Sequence, residues 1–295
     1  MRKFSFDCVA PERIIKQNIG MELAYDLYLP YDSAQWNDTP VVMLHAAFDS
    51  KLTWKKIAPQ IANSTGRKVY ALDMRNHGDS AWSNEMVEND FCEDLDKFLR
   101  DQNIPRAAFI GHSLGATVIM YYALQKPENV EKLVVEDAVV NYGLKERKST
   151  NLIFQLLKAS FSAIPPEADD MTARKAIVDY MKTYLSPTEK SSRGLFIFLE
   201  GVPLINNGYK YTLKTNMDTV LNVIGSSKEK FYPSVYNGEA LFLSGKHSFL
   251  QVENDKMVRK YFPRAATVVF EEAGHFLHHE YPEEFLREVI KFLSL

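Results

Sequence analysis

The run AAFIGHSLGATVIMYYAL, residues 107–124, places Gly111-His112-Ser113-Leu114-Gly115 between an apolar strand-like stretch and a helical one. A hydroxyl on a sharp strand-to-helix turn projects away from the backbone and is free to attack a carbonyl. Gly111 and Gly115 leave out side chains where strand and helix nearly touch. The Leu114 amide, at the start of the helix, points toward the place where negative charge would develop on the attacked oxygen. The chemistry these residue types predict is nucleophilic attack by Ser113.

Such a hydroxyl needs a base. His275 is the best placed of the seven histidines, in EEAGHFLHHE after the last apolar run and before the final amphipathic helix. Its loop returns over the same sheet edge as the Ser113 turn, and serine-before-histidine order fits a strand–turn–helix nucleophile. His278 and His279 read as a solvated or packing pair, and His112 as a structural residue turned away from the pocket. No HExxH motif occurs, so no metal is expected. A second oxyanion amide should come from the loop in VVMLHAAFDS, residues 41–50, where Ala47 or Phe48 would donate it. Ala46 stands where hydrolases usually carry glycine. Its Cβ restricts a position otherwise open to positive φ and predicts an altered loop path.

The acid that would orient the histidine is displaced from its usual turn. That turn falls in LFLSGKHSFLQV, residues 241–252, which offers Lys246, His247 and Ser248 but no carboxylate. Asp137, in KLVVEDAV, is the first candidate: it ends the run after the nucleophile helix, one strand away, with Glu136 facing the opposite side. Its competing role is a helix N-cap or loop anchor. The alternative acid is Asp218 in LKTNMDTV, which also reads as an N-cap.

The elements that must hold these residues are short apolar runs at 40–44, 68–72, 107–110, 132–135, 240–243 and 266–270. They are continuous rather than alternating in polarity, as in strands covered on both faces. Helical patterns at 94–100, 114–124 and 283–293 lie between and after them. This alternation predicts an α/β fold with a mostly parallel, doubly wound sheet. Residues 14–29 read as an extended pair turned near 18–20, an antiparallel edge. The alternation stops at about residue 140 and resumes at about 239. The expected organisation is therefore a core of 1–140 and 238–295, with 141–237 inserted as a mainly helical cap over the sheet's C-terminal edge. Its apolar Phe154, Leu156, Leu157, Phe161, Phe196 and Phe198 either face a substrate or form the cap's own core.

Composition narrows the classes. The chain has 295 residues, 46% hydrophobic and 25% charged, with net charge −3, which suits one large globular domain and gives no basic footprint for nucleic acid. No apolar stretch is long enough to span a membrane. Cys8 and Cys92 lie far apart with no CxxC pair, which favours a reducing compartment over a disulfide framework or a cysteine metal site. MRKFSFDCVAPE lacks the apolar core of a secretory signal and makes a poor presequence, so the cytoplasm is expected.

Taken together, NSTGRKV, LDMRNHGDS, IGHSLGA, ALQKPENVEKLVVED and EAGHFLH resemble the alpha/beta-hydrolase domain-containing protein 11 group, over about 40–140 and 238–295 and weakly across the insert. The resemblance implies an alpha/beta-hydrolase fold and a serine esterase or lipid hydrolase needing no cofactor. It implies an acid at Asp137 with Ser248 assisting from the turn, although an aspartate matching Asp218 has also been assigned that role. It also implies a mitochondrial location as the alternative to the cytoplasm. Asp73, Arg75, His77 and Asp79 of LDMRNHGDS are expected to hold their loop by hydrogen bonds, with Lys246 and His247 outside the chemistry. The expected activity is cleavage of a small-molecule ester or thioester with an apolar acyl part. The rival is a non-catalytic binding protein on the same scaffold, supported by Ala46 and by the acid-free turn.

Overall fold

The computed structural model describes residues 20–31, 37–84, 86–140, 144–186, 189, 192–226 and 234–295. The strands are β1 (Tyr25–Tyr28), β2 (Asn37–Leu44), β3 (Arg67–Leu72), β4 (Ala107–His112), β5 (Val130–Glu136), β8 (Glu239–Gly245) and β9 (Ala265–Phe270). They form one sheet in the order β1-β3-β2-β4-β5-β8-β9. All neighbours are parallel except β1, which pairs antiparallel with β3 at the edge. The expected first half of that edge pair, before residue 20, lies outside the described residues, as does Cys8.

Each central strand is apolar on both sides because each side has its own core. Val42, Leu44, Phe109, Val135 and Phe242 join one cluster. Val41, Met43, Ile110, Val134 and Leu243 join the other. The helices that cover these faces are α1 (Ala58–Thr65), α2 (Glu88–Asp101), α3 (Leu114–Gln125), α8 (Lys256–Tyr261), α9 (Leu277–Glu280) and α10 (Pro282–Ser294). In α10 the apolar stripe Phe285, Leu286, Val289 and Leu293 is buried against α1, as its period of 3.6 requires.

Between β5 and β8 the chain forms α4 (Leu144–Ser160), α5 (Asp170–Tyr184), α6 (Arg193–Gly201), the hairpin β6 (Leu204–Asn206) and β7 (Tyr211–Leu213), and α7 (Met217–Ser226). Phe48, after β2, meets Phe154 of α4 at a ring-centroid distance of 4.3 Å. Phe198 of α6 stacks on Phe276 at 5.3 Å. The LDMRNHGDS loop is tied down as its polar residues suggest. Buried Asp73 accepts from Lys51 Nζ at 2.6 Å and from the Asp79 amide at 2.8 Å. Arg75 pairs with Asp94 at 2.7 Å, and His77 donates to the Arg75 carbonyl at 2.8 Å. Among the described residues no helix is long and apolar enough to cross a membrane.

Helix and sheet approach closely at Gly115, where a Cβ would lie 2.5 Å from the Leu44 carbonyl oxygen and 2.6 Å from that of His45. Both neighbours are backbone atoms, at the end of β2 and just past it, and cannot yield. Gly115→Ala should therefore cost about 1–3 kcal/mol of stability as an overpacked contact, read as a lower urea midpoint with an unchanged slope.

Candidate active site

Four strand ends meet at one edge of the sheet. The β4 strand ends at His112, and Ser113 follows with φ 51°, a left-handed conformation that is costly for a side chain bearing a Cβ. The turn persists because both ends are held. The Ser113 amide donates to the Glu136 carbonyl at 3.0 Å, and the Gly115 amide to the His45 carbonyl at 3.1 Å. Leu114 is the first residue of α3, as its amide role requires.

At the end of β5 the chain again adopts a positive φ, 44° at Asp137, while the Asp137 amide donates to the Leu243 carbonyl at 2.8 Å. This conformation turns two consecutive carboxylates to different partners. Asp137, fully buried, accepts three hydrogen bonds: His275 Nδ1–H to Oδ2 at 2.6 Å, Ser248 Oγ–H to Oδ2 at 2.5 Å, and the Gly245 amide to Oδ1 at 3.0 Å. With its proton on Nδ1, His275 presents a bare Nε2. Its side chain is 11% exposed and lines the same pocket as Ser113. Gly245 is required for this closure, since a Cβ there would fall 1.9 Å from the Gly274 carbonyl oxygen.

Glu136, also fully buried, turns to His278. Its Oε1 accepts the His278 amide at 3.0 Å and His278 Nδ1–H at 2.7 Å. Burial lowers His278 to about 3, so the ring is neutral. Its Nε2 then takes the Thr53 hydroxyl at 3.0 Å. Burial pushes the Glu136 carboxyl up to about 7. His112 Nε2–H donates to the His275 carbonyl at 2.9 Å, with the two rings 4.7 Å apart. His112, Glu136 and His278 bring three metal-ligating atoms within 4.8 Å of one another. In that cluster His278 Nδ1–H is spent on Glu136 Oε1, so it is a hydrogen-bonded core cluster.

Of the expected site residues, Ser113, His275, Asp137 and Ser248 come together. Asp218 does not: it sits in the first turn of α7, its side chain 78% exposed and paired with Lys158 at 2.5 Å. In the loop after β2, Ala46 and Ala47 line the pocket with Ser113. Phe48 carries the positive φ of that loop, 64°, and is buried in the core. The positive φ of this loop thus falls two residues past Ala46. His278 and His279 form a packing pair rather than a solvated one; the His278 ring lies 4.6 Å from Trp54. Sequence reading did not foresee the Glu136–His278 pairing, because nothing in local spacing links the end of β5 to a residue beyond β9.

The pocket is a small cleft with a volume of about 100 Å³. Its apolar wall is Ile153, Phe154, Leu195, Phe198, Phe249 and Phe276. Only Phe154 and Phe198 of the six aromatic and aliphatic residues singled out from the sequence are among them. Leu157 is fully buried in the core, while Leu156, Phe161 and Phe196 pack against it. His247, set outside the chemistry above, also lines the pocket, together with Glu189 and Ser192.

Known proteins agree with this architecture over most of the chain. The mouse sn-1-specific diacylglycerol lipase ABHD11 is 30% identical over 258 residues, which cover 86% of this chain and 80% of that one. The protein of the same name from Danio rerio is 29% identical over 282 residues, covering 93% and 85%. A solved structure titled marine microorganism esterase superposes with a TM-score of 0.73 at 26% identity, covering 92% of this chain and all of that one. Residues 39–282 match the family described as alpha/beta hydrolase fold. With the parallel sheet, the turn at Ser113 and these relatives in agreement, this chain belongs to the alpha/beta hydrolase fold family.

Proposed function

We propose that this chain is a serine hydrolase of carboxylic esters or thioesters with an apolar acyl part, working through an acyl-enzyme on Ser113. The observation that carries the reading is the His275–Asp137 hydrogen bond of 2.6 Å beside Ser113 in a pocket walled by apolar side chains. His275 Nε2 takes the Ser113 proton as Oγ attacks the carbonyl, and returns it to the leaving alcohol or thiol. Asp137 keeps the imidazole in the required tautomer and offsets the charge it gains. Ser248 holds the same Asp137 oxygen that faces His275, while the Gly245 amide holds the other. The Leu114 amide and the amide of Ala47 receive the oxyanion; Ala47 is favoured over Phe48 because it lines the pocket. Water then releases the acyl group by the same steps in reverse.

In this reading residues 141–237 act as a cap on a core of 1–140 and 238–295, and the cap's Phe154, Leu195 and Phe198 bind the acyl chain. The name borne by the mouse and Danio rerio relatives puts neutral acylglycerols first among the esters to screen. The reading keeps the cytoplasm as compartment, supported by two distant cysteines with no CxxC pair, and the mitochondrion as its alternative.

A fluorophosphonate probe separates this reading from a binding protein on the same fold. Intact protein should label and Ser113→Ala should not; an unlabelled native protein would sink the enzyme reading. For the acid, Asp137→Asn should lower kcat by about 10⁴, the loss expected when the base is left in the wrong tautomer. Asp218→Asn should stay close to wild type, and if it alone were crippled the assignment would fall. Ser248→Ala should lower kcat by about tenfold to a hundredfold, the kinetic equivalent of one hydrogen bond to a charged group. Leu195→Trp fills the apolar wall, so kcat/KM should fall for long acyl chains while short-chain esters are still cleaved. A uniform loss over chain lengths would place the acyl group elsewhere.

A further inference from the structure

Glu136 occupies a junction that the catalytic reading leaves unused. Its backbone carbonyl accepts the Ser113 amide at 3.0 Å and so holds the strained nucleophile turn. The residue after it supplies the carboxylate to His275. Its side chain, fully buried, takes two N–H groups of one residue, the backbone amide of His278 at 3.0 Å and its Nδ1–H at 2.7 Å, both on Oε1. When the carboxyl is neutral its proton therefore sits on Oε2, and the two His278 bonds are unaffected. His278 lies three residues beyond His275, at the first turn of α9.

The His247 amide donates to the Ala273 carbonyl at 2.9 Å and the Gly274 amide to Glu280 Oε2 at 3.1 Å. Residues beside the triad add two further ties to the loop that carries His275. Its carbonyl receives His112 Nε2–H at 2.9 Å, from the residue before the nucleophile. Its far end is held by Glu136, from the residue before the acid. Thr53 closes the arrangement by joining His278 Nε2 at 3.0 Å and His279 Nε2 at 3.1 Å. The Phe276 and His279 side chains add stacking but no directional bond to the sheet. Two hydrogen bonds on one buried oxygen fix both the position and the rotation of His278, which a single bond would leave free. A displacement of a catalytic group by an ångström is enough to lower turnover sharply without affecting substrate binding.

We propose that Glu136 is a positioning residue of this hydrolase: by holding both N–H groups of His278 it sets the loop that brings His275 to Ser113 and Asp137. The proposal rests on the serine-hydrolase reading above. Glu136 touches no substrate and acts through His275. A buried leucine of similar size would leave the two His278 donors unpaired and release the loop. Glutamine keeps an acceptor oxygen at the same place.

The test compares Glu136→Leu, Glu136→Gln and wild type on a para-nitrophenyl ester, with the downfield proton resonance of His275 Nδ1–H as a direct report on its bond to Asp137. Glu136→Leu should lose at least about tenfold in kcat with KM nearly unchanged, as when a supporting bond to a catalytic group is removed. Its downfield resonance should broaden or vanish. Glu136→Gln should retain at least about tenfold more kcat than Glu136→Leu and keep the resonance. Wild-type kcat in a folded Glu136→Leu, equal losses in the two variants, or a loss confined to KM would each overturn the proposal. If Glu136→Leu does not fold, His278→Asn and His278→Leu decide: the asparagine amide can still donate to Glu136, so equal kcat in that pair overturns it. Fluorophosphonate labelling of wild type is run alongside. An unlabelled wild type defeats the hydrolase reading, whereas labelling with no effect at Glu136 defeats this inference alone.

Discussion

The end of β5 is the point on which the rest of the site depends. There the chain leaves a buried parallel strand through a left-handed residue, Asp137 at φ 44°, that is not glycine. Burying two adjacent carboxylates without partners would cost several kcal/mol each, so the surroundings must supply donors. They do so from three separate places in the chain: the β8 turn, the loop after β9, and α9. The hydrogen-bonding demand of two side chains thus draws the Ser248 turn and the histidine loop to one sheet edge, where the Glu136 backbone carbonyl holds the Ser113 turn.

The same logic explains why backbone strain persists here. Ser113, Asp137 and Phe48 all adopt positive φ without being glycine. Each is followed or flanked by backbone hydrogen bonds to a neighbouring strand or loop, which hold it against relaxation. The strain belongs to a rigid sheet edge, and rigidity is what a serine nucleophile needs from its scaffold. Among the described residues, the inserted elements α4 to α7 give His275 no hydrogen-bond partner, and α4 and α6 supply apolar wall. The hydrogen bonds thus come from the sheet edge and the apolar surface from the inserted helices, so the pocket wall can vary without disturbing the His275–Asp137 bond.

Much was legible before any coordinates. Continuous apolar runs announced a two-faced parallel sheet, because a strand buried on both sides has no polar alternation. The G-x-S-x-G turn and the late histidine stood in the right order and context. The wall of the pocket was read less well, since an apolar side chain on a helix looks the same whether it faces a cavity or another helix. Phe154 and Phe198 line the pocket, while Leu157, three residues past Phe154 on the same helix, fills the core.

The sequence by itself determined the strands, the turn at Ser113 and the loop of His275, because these follow from local periodicity and from residues close together in the chain. It left two aspartates open as partner of the histidine. Only the tertiary structure decided between them, placing Asp137 against His275 at 2.6 Å and Asp218 in solvent beside Lys158. It alone revealed that Ser248 shares the Asp137 carboxylate and that Glu136 grips His278. Those contacts join residues more than a hundred positions apart. Which buried carboxylate finds which donor depends on how the strands are ordered in the sheet, and no short stretch of chain encodes that order.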